Sequence, residues 1–304
     1  MISFLCILIT ALFFAGIISK VKAKIGARKM PSILQPLYDV IRLFKKGAIY
    51  SPTTSIIFKM APPIYFASII LASFFIPLFD EKGVLSFDGD FVFFAYLLAL
   101  GKFMMIIAAM DTGSGFEGMG ANREALYSML VEPAFFIIMG SLALFTNNTS
   151  FQELYYNLHL GTDLSLIIGI ASIYILVYIA MVENSRMPVD DPKTHLELTM
   201  VHEVMILDNS GFDLALMNIA AWLKFAIYGT LISNFMIQSF WPLYFKIIAF
   251  LIIQASFASL VGLLESFRAR NKMDKNPQWI IMLSSIAVII FLTTLIITNK
   301  IILN

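Results

Sequence analysis

Cysteine and histidine are nearly missing: one Cys, Cys6, and three His stand among 304 residues. Iron–sulfur clusters and structural zinc sites need several thiolate or imidazole ligands on one chain, so no such ligand set can be assembled here. Charge is scarce too, at 13%, against 59% hydrophobic residues, 28 Phe and a mean hydropathy of +0.85. That balance excludes a soluble domain and describes a polytopic membrane protein. The first apolar run lacks a basic n-region and a small-residue cleavage site, so it is read as a membrane helix and no removable signal peptide is expected.

Apolar runs long enough to cross a bilayer, about 20 residues each, fall at roughly 2–18, 57–79, 90–110, 126–145, 163–182, 213–237, 241–264 and 278–301. The expected fold is therefore an all-α bundle of about eight transmembrane helices forming a single integral membrane domain over 1–304, its backbone satisfied within each helix. Lys20, Lys22, Lys24, Arg28, Lys29, Arg42, Lys45 and Lys46 crowd the first connection, and Arg268, Arg270, Lys272 and Lys275 the seventh. The even connections and the tails offer only Lys82 and Lys300. This bias predicts cytoplasmic odd loops and both termini outside, with the bilayer as a partner and no nucleic acid.

Two motifs mislead. Gly113, Gly115 and Gly118 in "MDTGSGFEGMGANRE" satisfy G-x-G-x-x-G, but the fingerprint needs a strand before it and a transmembrane segment precedes it here. The stretch is read as a tightly turning link bearing Asp111, Glu117, Arg123 and Glu124. In "HEVMI", Ile206 stands where a zinc protease needs its second His. His195 and His202, seven residues apart, would be separated by about 10 Å of helical rise, too far to share an ion. No metal or cofactor site is expected on this chain.

Within 31–50, Ile33, Leu34, Leu37, Val40, Ile41 and Phe44 recur at helical spacing, with Arg42, Lys45 and Lys46 after them. This predicts an amphipathic interfacial helix, interrupted early by Pro36. Gln35 and Asp39 are unexpected in a lipid anchor and point to a partner or cavity. Ionisable groups inside spans are sharper signals, because charge near the bilayer centre is costly. Glu132, about two turns into the fourth span, Lys102 and Lys224 are such groups. They mark either an ion path or an ion pair that holds the bundle together.

The acidic connection 183–212 carries Glu183, Asp190, Asp191, Glu197, Glu203 and Asp208, beside Arg186, His195 and His202. "PKTHLELTMVHEVMILD" predicts a helix with Asp190 or Asp191 at its N-terminus; His195, Thr199 and His202 would share a face. Crowded acids at a membrane surface are expected to raise one another's pKa and so relay protons.

Three segments, "ENSRMPVDDPKTHLELTMVHEVMILDNSG", "GMGANREALYSMLVEP" and "ILQPLYDVIRLFKK", carry a resemblance. They are similar to the membrane-anchor family shared by respiratory complex I, where it is subunit 1, and the group 4 membrane-bound [NiFe] hydrogenases. The likeness is greater to the formate hydrogenlyase subunit 4 and hydrogenase-4 component C branch. Glu183, Arg186, Pro188 and Asp190 match E-x-x-R-x-P-F-D, with Val189 in place of Phe. The family's Gly-Pro after the first-loop Arg is Met30-Pro31, and its sixth-span acid is not evident around Ala221–Lys224.

The resemblance implies an inner-membrane coupling subunit, non-catalytic alone, that docks a peripheral redox arm and links electron transfer to proton or sodium movement. Partners would be a [NiFe] hydrogenase-like large subunit, an iron–sulfur small subunit and antiporter-like membrane subunits, with the [NiFe] centre and clusters held by those partners. Glu132, Glu183, Asp190, Asp191, Glu197, Glu203, Asp208, His195, His202 and Lys224 would form the proton path. Arg28, Gln35, Asp39, Arg123 and Arg186 would serve docking or a cavity. The alternatives are a quinone-site subunit of complex I and a purely structural anchor.

Overall fold

The computed structural model describes residues 2–159, 163–190 and 200–298. Among these residues eight helices are long and apolar enough to cross a membrane. In chain order the helices are α1 (Ile2–Ile25), α2 (Gln35–Phe44), α3 (Ile56–Ser73), α4 (Asp90–Asp111), α5 (Gly115–Thr146), α6 (Phe151–His159), α7 (Asp163–Glu183), α8 (His202–Met205), α9 (Gly211–Met236), α10 (Leu243–Phe267) and α11 (Asn276–Ile297). The α2, α6 and α8 segments are too short to span.

Helix α9 forms the centre. Its best spanning window is 83% buried, against 22% for the last span, and it packs on α1, α2, α3, α7 and α10. The outer helices instead turn Leu5, Phe13, Tyr96, Phe103, Ile252 and Ile289 outward. In water that surface would be a large apolar patch; in a bilayer it is the lipid-facing side. The chain is a multi-pass membrane protein.

Three local expectations are corrected. Pro36 occupies the first turn of α2, where its missing N–H costs nothing, so it starts the helix rather than interrupting it. The glycine-rich link is only Thr112–Ser114, with Gly113 at φ +71°; Gly115 already opens α5. A Cβ on Gly120 would lie 2.2 Å from Val204 Cγ1 and 2.8 Å from the Val201 carbonyl oxygen, so this glycine lets α5 touch the acidic connection rather than bend. The early start of α5 places Glu132 in the middle of a 32-residue helix, not two turns in.

At the end opposite the basic loops, the turn at Phe79 and Asp80 adopts positive φ and is tied down from several sides. Asn234 Nδ2 donates to Pro77 O at 2.9 Å, Gln152 Nε2 to Asp80 O at 2.9 Å, and Lys246 pairs with the Asp80 carboxylate. Lys246 is thus a buried ion-pair partner.

Candidate functional site

Four helices each place one ionisable side chain in a common interior point. Lys102 of α4 lies 3.1 Å from Glu124 Oε1 of α5 and 2.9 Å from Glu183 Oε2 of α7. Lys224 of α9 stands 3.5 Å from the same Glu183 oxygen and donates to the Glu183 carbonyl. Ser185 Oγ donates to Glu124 Oε2 at 3.0 Å. None of the four side chains is more than 8% exposed. Two carboxylates and two ammoniums cancel, which is how four charges persist in an apolar interior where any one alone would be strongly unfavourable.

Two cavities flank the cluster. One of about 80 Å³ is lined by Lys102, Glu124, Glu183, Lys224, His202 and Glu203, among others. It has room for several waters at the ~10–15 Å³ minimum each requires. A second, about 30 Å³, is lined by Lys102, Glu183, Glu132 and aromatic side chains including Phe94 and Tyr228. Glu132 is only half-buried, so the two cavities set a row of charged groups from the acidic connection to a carboxyl at the flank of the bundle.

His202 sits in the wall of the larger cavity. Part of its surface stays accessible, yet burial pushes its pKa down from 6.5 to about 4. Glu124 opposes that shift, while Lys224, Lys102 and Arg186 reinforce it. The imidazole is neutral at physiological pH and can pass a proton without holding one.

The other expected residues separate into groups. Asp190 is not on the cavity wall: Oδ1 meets Arg270 Nη2 at 2.9 Å, and Oδ2 accepts from the Val201 and His202 amides at 3.1 Å each. It holds the connection's shape. Asp208 is exposed, its amide donating to Glu117 Oε1 at 3.1 Å. Arg123 Nη1 donates to Met200 O at 3.0 Å, tying α5 to the same connection. Arg186 meets Glu265 Oε1 at 3.2 Å. Gln35 Nε2 donates to Asp39 Oδ1 at 3.0 Å on the exposed side of α2, and Arg28 is exposed. Asp191, His195 and Glu197 lie outside the described residues.

The expected helix over "PKTHLELTMVHEVMILD" is, within the described residues, a single turn at His202–Met205. Two of the described acids of the connection are paired with cations rather than set against other acids. Glu183 and Asp190 each face cations, because the chain folds Lys102, Lys224 and Arg270 against them. Glu124, expected only as part of a turning link, and Glu265 are site residues that the sequence did not single out. Glu117, Gly120, Ala121, Glu124 and Ser128 follow helical spacing and are buried, a one-sided stripe that was the available signal for Glu124. Among the described residues no group of His, Cys, Asp and Glu is arranged to hold a metal ion.

Such a bundle, with opposite charges paired at its core and small cavities beside them, defines a multi-pass α-helical membrane protein. The chain belongs to the NADH dehydrogenase family, whose sequence pattern matches residues 1–298. It is 28% identical over 218 residues to hydrogenase-4 component C of Escherichia coli (strain K12), covering 72% of this chain and 68% of that one. To formate hydrogenlyase subunit 4 of the same organism it is 24% identical over 201 residues, covering 65% and 64%. The chain thus spans about two thirds of the length of these two relatives. To a subunit of the NADH-quinone oxidoreductase of Wolbachia pipientis wMel it is 24% identical, covering 73% and 70%. The fold is that of a chain of the membrane-bound sulfane sulfur reductase (MBS), an archaeal respiratory membrane complex, with TM-score 0.75, 20% identity and coverage of 95% and 98%.

Proposed function

We propose that the chain is the inner-membrane coupling subunit of an energy-converting [NiFe] hydrogenase-type complex, of the formate hydrogenlyase and hydrogenase-4 kind. It would dock the redox arm on its cytoplasmic connections and link electron transfer to movement of H⁺ or Na⁺. The observation that carries this reading is Lys102 held between two carboxylates, Glu124 and Glu183. A unit charge pair near 4 Å is worth about 4 kcal/mol at an effective dielectric of 20. Moving the ammonium toward one acid therefore raises the proton affinity of the other appreciably. A displacement of the acidic connection during electron transfer, carrying Glu183 and His202 with it, would load one carboxyl and unload the other, with Glu132 as the lateral outlet toward an antiporter-like neighbour. Asp190 holds the connection in this scheme and leaves proton carriage to the cavity groups. The similarity to hydrogenase-4 component C and formate hydrogenlyase subunit 4 supports the hydrogenase branch.

A quinone-site role has its own support in a groove of about 250 Å³ between α1 and α2, lined by Ile18, Lys22, Pro36, Asp39, Val40 and Trp222 among others, and in the similarity to the NADH-quinone oxidoreductase subunit. Purification through a tag on this chain in mild detergent, with mass spectrometry and a hydrogen-evolution assay, separates the readings. Co-elution of a [NiFe] large subunit, an iron–sulfur small subunit and antiporter-like chains with hydrogen evolution is the expected result. NADH-oxidising subunits without hydrogenase activity would shift the assignment to complex I, and a solitary chain would refute both.

A further inference from the structure

Glu265 of α10 is a carboxylate whose side chain is 0% exposed, and both of its oxygens are occupied by cations. Lys22 Nζ of α1 meets Oε2 at 2.8 Å, and Arg186 Nη1 meets Oε1 at 3.2 Å. The close approach of α10 to α1 is permitted by Gly262, where a Cβ would already stand 3.0 Å from Val21 and 3.3 Å from the Ile18 carbonyl oxygen. Arg186 is thereby held with its guanidinium carbon 5.2 Å from the centre of the Phe225 ring.

Arg186 lines two different spaces. One is the 80 Å³ cavity of the charge cluster, the other the 250 Å³ groove between α1 and α2. Among the described residues, Asn218 and Trp222, four residues apart on α9, share this double exposure. The three side chains form the wall between the spaces. Two belong to a rigid helix; Arg186 is long, flexible and rooted in the turn after α7.

We propose that Glu265 is a positioning residue that makes Arg186 a closed partition between the groove and the charged cavity. Released from Glu265, the guanidinium is free to leave the wall and be drawn toward Glu183 and Glu124, which joins the two spaces. Lys22 serves Glu265 as second counter-ion and takes no part in the wall. The partition concerns access to the cavity and stands whether or not the cavity moves ions.

The test is cysteine accessibility in membrane vesicles holding the assembled complex, in a Cys6→Ala background that removes the chain's single cysteine. Ser19→Cys reports on the groove alone and Ala221→Cys on the cavity alone; the probe is a membrane-partitioning maleimide. In the parent, Ser19→Cys is labelled fast and Ala221→Cys slowly. Glu265→Gln raises the Ala221→Cys rate at least about tenfold, the shift in population expected when a charge-assisted hydrogen bond is lost, and leaves Ser19→Cys unchanged. Glu265→Asp restores slow labelling. If Glu265→Gln does not accumulate, Arg186→Ala is expected to give the same acceleration by removing the partition itself. Equal rates at the two cysteines in the parent, or an Ala221→Cys rate unmoved by the accumulating variant, would overturn the proposal.

Discussion

Lys102 Nζ lies 2.9 Å from Glu183 Oε2, joining α4 to α7 in the interior of the bundle. The same ammonium serves Glu124, so its loss leaves two carboxylates facing each other, with Lys224 still paired to Glu183. Lys102→Met is expected to destabilise the solubilised protein by about 3–5 kcal/mol, the range for breaking a buried ion pair on one side. Lys102→Met with Glu124→Gln removes cation and anion together and should recover most of that loss. Thermal unfolding of the two variants against the parent checks the non-additivity.

His202 gives a pH signature. Its folded pKa of about 4 lies below the ordinary 6.5, so between those values the unfolded chain binds a proton that the folded protein resists. Stability from this group is intact above pH 6.5 and is lost as pH falls toward 4. His202→Gln should flatten that part of the stability profile and change nothing above about pH 7. An unchanged slope between pH 6.5 and 4 would show that His202 titrates as an ordinary surface imidazole.

Two glycines of α5 are expected to respond in opposite ways. Gly120→Ala forces a methyl against Val204 and the Val201 carbonyl, an overpacking worth about 1–3 kcal/mol. Gly118 has nothing within 4 Å of its Cβ position, so Gly118→Ala should raise helix stability by up to about 1 kcal/mol. Melting temperatures of the purified chain decide both signs.

Much of the architecture was legible because membrane spans announce themselves by length and hydropathy; the eight spans among the described residues match the eight expected, with differences only at their ends. The ends failed for local reasons. Glycines at 115, 118 and 120 read as a turn, since a sequence does not show that Gly120 is there for close packing against Val201 and Val204. Charged residues were legible as individuals: Lys102, Glu132, Glu183 and Lys224 stood out within or at the ends of apolar runs. Their pairing was not, because it links four helices distant in sequence. Asp190 illustrates the limit. Its acidic neighbourhood suggested proton traffic, whereas Arg270, 80 residues further along by number, makes it a strut.

That strut is open to a double-mutant cycle. Asp190→Asn and Arg270→Gln each lose the bridge, and Asp190→Asn also weakens two amide contacts. A coupling energy of about 0.5–3 kcal/mol between them is expected, with protease cleavage within 186–208 increasing in each single variant. Strict additivity would mean that the two side chains do not support each other.

The proposed coupling of electron transfer to ion movement rests on Lys102, shared between Glu124 and Glu183. Glu124→Gln is the most direct probe, since it keeps the Lys102–Glu183 pair and an acceptor for the Ser185 hydroxyl while removing the second charge. The measurement is ions moved per electron pair by the purified complex in sealed vesicles. The expected result is an assembled complex that still transfers electrons while the ion ratio falls to near zero. An unchanged ratio would contradict it and leave the charge cluster as a structural tie between helices.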